Sequence, residues 1–147
     1  MAAELFGEDW ARAWREEIAA SEAYRSAAAS WEGAMVFAMT ADEASGVPGE
    51  RRVYLDLWHG DCRDARAAAD ADVAAASYVV TAAPAVWREV LEGRIEPLFA
   101  VMSGKLKLVR GSIARLLPYV TAARELLAAA RRVPTEFPHA WSPGQPA

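Results

Sequence analysis

An α+β fold is predicted by three features of this sequence. Short apolar segments with strand character cluster in the first half. Amphipathic helical segments flank them. Strands and helices do not alternate regularly, which disfavours a doubly wound parallel sheet. The chain has 147 residues, the natural size of one domain with its own core.

The elements follow in order. Leu5, Trp10, Trp14 and Ile18 recur at helical intervals with charges between them, so residues 4–30 are expected to be helical. A break is expected at Ser21, which would cap a second short helix. Gly33 to Thr40 is apolar on both alternating sets, as a strand covered on both faces would be. Asp42 to Gly49 is a turn sequence. Arg52 to Trp58 alternates strictly, with Val53, Leu55 and Leu57 on one face and Arg52, Tyr54, Asp56 and Trp58 on the other. Cys62 to Asp72, charged and alanine-rich, is expected to be a loop or a weak helical turn.

Ala76 to Thr81 is the third strand candidate. Pro84 opens a helix that ends near Gly93, and Pro97 opens another that runs to Met102 and closes at Gly104. Lys105 to Val109 alternates again, with Leu106 and Leu108 inward. Gly111-Ser112 is a stop followed by an N-cap, and the last helix is expected to reach Arg132 with a bend at Pro118. Its apolar stripe would be Ile113, Leu116, Leu117, Val120, Ala123, Leu127 and Ala130. Residues 1–133 are thus expected to form the domain, and 134–147, with four prolines, an irregular tail.

Composition excludes several functions. A hydrophobic fraction of 54% is too high for intrinsic disorder. A net charge of −4 lacks the basic field of a nucleic-acid binder. The longest uncharged stretch, Val73 to Trp87, contains Pro84 and is shorter than a bilayer span, and no secretory signal is recognisable at the N-terminus. One cysteine, Cys62, forbids an internal disulfide. These features lead to the expectation of a cytoplasmic protein without stable membrane insertion.

Catalytic and metal motifs are weak. Ser103-Gly104-Lys105 lacks the spacing of a phosphate loop, and Leu106 stands where Ser or Thr must ligate magnesium. His59, Asp61 and Cys62 are neighbours, but a zinc site needs three or four ligands and the only other histidine is His139. That cluster is expected to be the polar end of a hairpin, with no catalytic residue, no metal and no cofactor. The informative feature is an apolar surplus of six tryptophans and four methionines, which suits a hydrophobic pocket as well as a dense core.

The stretch from Trp87 to Ser112, with its tryptophan helix, Gly93-Arg94, Pro97, Gly104-Lys105-Leu106-Lys107 and Gly111, resembles the sterol carrier protein (type 2) family. Tyr24 through Trp31-Glu32-Gly33 resembles bacterial members of it. The resemblance implies a sandwich of a mostly antiparallel five-stranded sheet with helices over one face. The strand not legible above would then lie between Cys62 and Thr81 or after residue 132. It also implies a hydrophobic tunnel for a fatty acid, fatty acyl-CoA or other lipid, and no catalytic residues. With that architecture, the walls are expected from Phe37, Met39, Leu55, Leu57, Val80, Trp87, Leu98, Met102, Leu106, Leu116, Val120 and Leu127. The alternative is the same fold with a closed pocket, serving interaction or homodimerisation through outward aromatics such as Tyr54 and Trp58.

Overall fold

The structure, a computed structural model, describes residues 2–138 and residue 141. Its centre is a five-stranded sheet built from β2 (Glu32–Met39), β3 (Arg51–Trp58), β4 (Asp61–Ala67), β5 (Tyr78–Ala82) and β6 (Lys107–Arg110) in the order β4-β3-β2-β5-β6. All pairs are antiparallel except β2–β5, so the sheet is mostly antiparallel, as expected. Central β2 is buried on both faces, which explains its unbroken apolar run. On β3, Val53, Leu55 and Leu57 face the core, as the alternation predicts.

The fifth strand is β4, in a segment expected to be a loop or weak helical turn. Its inward residues, Cys62 and Ala65, are three apart because the register with β3 shifts between Leu55 and Leu57. That irregularity breaks the period of two from which a strand is read. Arg63 and Asp64 then occupy an edge strand, where charge is tolerated and discourages further pairing. Trp58-His59-Gly60-Asp61 joins β3 to β4 with positive φ at both central residues, the geometry suited to a two-residue hairpin.

Most helices cover one face. The expected helix over 4–30 is α1 (Glu8–Ala19) and α2 (Glu22–Ala27), while Ala3–Glu4 forms a short strand, β1. Ser21 caps α2, its hydroxyl accepting from the Tyr24 N–H at 3.1 Å. Next come α4 (Pro84–Leu91) and α5 (Pro97–Met102), both with proline in the first turn. The Glu96 carboxylate caps α5, accepting from the Leu98 and Phe99 amides. By contrast, α3 (Asp70–Ala75) lies on the other face, where Val73 packs against Val36, Ala76 and Val79.

The last helix is interrupted. Between α6 (Ile113–Leu116) and α7 (Val120–Arg132), residues Leu117–Tyr119 form a 3₁₀ turn around Pro118. Ser112 occupies the N-cap position, but its side chain makes no capping bond. The tighter turn advances the helical phase, so the buried residues of α7 are Ala122, Leu126, Leu127, Ala129 and Ala130. The expected stripe is therefore corrected: Ile113 and Leu117 are exposed, and Val120 is only half-buried. Thr135–Glu136, within the expected tail, forms β7 and pairs in parallel with β1. The expectations for residues 139–140 and 142–147 lie outside the described residues.

Candidate functional site

An apolar hollow lies between the inner face of the sheet and the helices. Met35, Phe37, Leu57 and Val80 form its floor. Tyr24 and Ala28 from the α2 region form one side, followed by Trp31 just before β2. Trp87 and Val90 of α4, Leu98 and Val101 of α5, and then Leu106 close another. Leu116, Tyr119, Ala122, Ala123, Leu126 and Leu127 form the roof. No wall residue is charged. The open space is about 70 Å³, whereas pockets for small organic ligands typically enclose ~300–1,000 Å³.

Eight of the twelve residues expected in the wall line this hollow: Phe37, Leu57, Val80, Trp87, Leu98, Leu106, Leu116 and Leu127. Four do not. Met39 and Leu55 are fully buried on the correct face of their strands but lie outside the cavity wall. Met102 points outward and is 62% exposed, leaving Val101 as the α5 contribution. Val120 gives way to Ala122 and Ala123 because of the phase change at Pro118. Tyr24, Trp31, Met35 and Tyr119 are wall residues that the sequence reading missed. For Tyr24, Trp31 and Tyr119 the available signal was aromatic content in short helical turns or just before a strand, whereas Met35 lies within the apolar run of β2.

Aromatic side chains brace the wall at both ends. The Trp87 indole N–H donates to the Ala38 carbonyl at 2.9 Å, tying α4 to β2. At the other end Trp31 packs against Tyr78 and meets Tyr119 edge-on, both at 4.9 Å between ring centres. The Tyr119 hydroxyl and the Ser30 hydroxyl are 2.9 Å apart and hydrogen-bonded. Burial pushes the Tyr24 phenol well above its usual range, with Cys62 adding to the shift, so Tyr24 presents a neutral hydroxyl.

The hairpin end is built differently. His59 Nε2 is 2.6 Å from a Glu32 carboxylate oxygen, at the surface. Cys62 is buried, and burial above all pushes its thiol up to about 12, against the opposing effects of Arg15 and its own hydrogen bond to the Asp64 carbonyl. It is therefore a thiol at neutral pH, the form that is neither nucleophile nor metal ligand. Among the described residues, no three His, Cys, Asp or Glu side chains are grouped to hold a metal. Of the outward aromatics, Tyr54 is covered by the Arg66 guanidinium at 4.2 Å and Trp58 by that of Arg63 at 4.8 Å.

A second hollow of about 220 Å³ lies between α4, α7 and the side chains of Thr135, Phe137 and Trp141, with Arg88, Glu92 and Arg131 in its wall. Although larger, it carries ionised groups that do not suit a hydrocarbon chain. The uncharged cavity is the better candidate site.

A mostly antiparallel five-stranded sheet, helices over its inner face and an uncharged hollow between them define a sterol carrier-type sandwich. The chain belongs to the SCP-2 sterol transfer family, whose sequence model matches residues 14–121. It is 49% identical to a sterol carrier protein 2 of known crystal structure, covering 88% of this chain and 99% of that one with a TM-score of 0.79. It is 46% identical to a conserved hypothetical protein from Thermus thermophilus, considered a candidate sterol carrier protein. That alignment covers 92% of this chain and 94% of the other, with a TM-score of 0.80. The apo form of sterol carrier protein 2 from Yarrowia lipolytica shares the fold at 17% identity and a TM-score of 0.55, over 84% and 88% of the two chains. No curated protein matches the chain.

Proposed function

We propose that this protein binds and transfers a hydrophobic ligand, namely a fatty acid, a fatty acyl-CoA or another lipid, held between sheet and helices. The observation that carries this reading is a cavity with no charged wall residue in a sterol-transfer family fold. An acyl chain entering it gains about 0.8 kcal/mol per buried CH₂, so a dozen methylenes suffice for tight binding without any catalytic group.

The space of about 70 Å³ holds only part of such a chain, so the cavity must widen. The segment best placed to move is α5. It lies between Gly93 and Gly104, both at positive φ, and Gly104 has open space around it. The small cavity also favours a second reading, a permanently closed pocket on an interaction module.

Titration with fatty acids of increasing chain length, followed by tryptophan emission, separates the two. Trp31 and Trp87 stand in the wall and are the expected reporters. Saturable change with affinity rising with chain length supports a working pocket. Absence of change at every length, with no lipid released from the purified protein on denaturation, supports the closed module.

A further inference from the structure

Four side chains in the cavity wall carry a hydrogen-bonding N–H or O–H: Tyr24, Trp31, Trp87 and Tyr119. Three of them are partnered. The Trp31 indole donates to the Gly33 carbonyl at 2.9 Å, the Trp87 indole to that of Ala38, and the Tyr119 hydroxyl bonds to Ser30. The Tyr24 hydroxyl has no hydrogen-bond partner among the described residues, although Tyr24 is only 2% exposed. Every described side-chain N or O that is wholly shut off from open space does have one. The Tyr24 hydroxyl therefore keeps open space beside it, and the open space that Tyr24 borders is the cavity. A buried donor without a partner costs free energy until something supplies an acceptor.

The backbone fixes where this group stands. Tyr24 lies in the first turn of α2, its N–H held by the Ser21 hydroxyl at 3.1 Å and its carbonyl by the Ala28 N–H at 2.8 Å. The side chain borders the β3 side of the cavity with Leu57, and Cys62, the strand partner of Leu57, adds to burial in raising its pKa. The mouth lies on the other side. Of the wall residues only Val101, Tyr119 and Ala123 are half-buried, and the rest are buried. Val101 belongs to α5, which is tied to the approach to β6 by the Leu106 N–H on the Ala100 carbonyl. The strand order places β2 and β5 between β3 and β6. A chain that enters beside Val101, leaving a charged head in water, brings its far end towards Tyr24.

We propose that Tyr24 is a specificity-determining residue, whose hydroxyl donates to a neutral oxygen, a hydroxyl or a carbonyl, on the inner end of the lipid. The proposal rests on the lipid-binding reading and narrows it to chains oxygenated at that end. Burial keeps the phenol protonated, so it is available as a donor. An ionised carboxylate is not the group received there, because one phenol does not offset the burial of a charge among uncharged walls. A methyl end leaves the hydroxyl unpaired, whereas a neutral oxygen takes its hydrogen bond.

The test is a cycle between protein and ligand. Fatty acids of eight to sixteen carbons and the same acids with a terminal hydroxyl are titrated against the wild type and Tyr24→Phe, followed by tryptophan emission. At the length that reaches Tyr24, the variant should bind the hydroxylated acid roughly three- to ten-fold more weakly, the worth of one net hydrogen bond. It should bind the parent acid equally well or more tightly. Its melting temperature should match or exceed that of the wild type, since the lost hydroxyl had no protein partner. Equal effects on both acids at every length overturn the proposal, because Tyr24 then acts only by filling space. A marked fall in melting temperature overturns it too, because the hydroxyl then has a structural partner. Binding of the parent acids with no selective loss in the variant refutes the role of Tyr24 alone. Binding of neither series by the wild type refutes the cavity reading and this inference with it.

Discussion

The indole N–H of Trp87 donates to the carbonyl of Ala38 across the interior, 2.9 Å away and 49 residues apart in sequence. The bond links α4 to the middle strand of the sheet along the cavity wall. Trp87→Phe removes the donor and leaves a smaller ring in a close-packed site. The expected loss is about 2–4 kcal/mol in urea unfolding. Acyl uptake should weaken by less than stability does, because the wall stays apolar. A Trp87→Phe protein as stable as the wild type would show that the bond contributes little.

Gly111 and Gly104 both have positive φ, but their surroundings differ. A Cβ on Gly111 would overlap the Tyr78 ring, standing 2.8 Å from Cε2 and closer still to Cδ2, while one on Gly104 meets nothing within 4 Å. Gly104→Ala should therefore cost only the backbone strain, about 1 kcal/mol. Gly111→Ala must displace the Tyr78 ring, which packs against Trp31, and should cost at least about 2 kcal/mol while altering tryptophan emission. Equal melting temperatures for the two variants would contradict this ranking.

A chain ending at Pro118 should not fold. The buried face of α7 packs into the helix layer, and the Leu126 carbonyl accepts the Trp14 indole N–H at 3.0 Å. Removing α7 exposes Trp14 and the cavity floor together. Circular dichroism melting of the truncated chain is expected to show no cooperative transition, and a cooperative melt would recast α7 as a detachable cover.

Filling the cavity tests its use without breaking the fold. Ala123→Leu places an isobutyl group at the roof, where the helix tolerates leucine well. Thermal stability should change by less than about 1.5 kcal/mol, while fatty-acid uptake should fall sharply. Unchanged uptake would locate the ligand elsewhere.

Cys62 gives a pH prediction with a definite sign. Its thiol titrates near 9.0 when unfolded and is pushed up to about 12 by burial when folded. Between those values the unfolded chain has lost the proton that the folded one keeps. Cys62 therefore favours folding below about pH 9, and that contribution disappears as pH rises towards 12. Cys62→Ala should lose less stability over this interval than the wild type. The native thiol should resist alkylation at neutral pH, and His59→Gln with Cys62→Ala should leave fatty-acid uptake intact.

Legibility in the sequence followed the regularity of each element. The face of β3 could be read because Val53, Leu55 and Leu57 keep a strict period of two. The same rule identifies the face but not the distance along it, which is why Leu55 and Met39 were grouped with Leu57 and Phe37 although they lie beyond the cavity. The strand β4 was hidden by its irregular pairing, and the roof of the cavity by the three residues of 3₁₀ turn at Pro118. Trp31 and Tyr119 come together only through tertiary packing, 88 residues apart, and no local pattern announces such a pair.

The parallel pairing of β1 with β7 has a mechanical consequence. Ala3 donates to the Pro134 carbonyl and Leu5 to that of Glu136, at 3.0 and 3.1 Å. In a parallel pair, tension entering ahead of Ala3 and leaving beyond Glu136 runs along the strand axis. Both bonds are then loaded in shear at once instead of parting one after the other, as they would if the strands ran antiparallel. Two hydrogen bonds thereby act as a clasp for the whole domain, and a pulling experiment through these ends should meet its first resistance there.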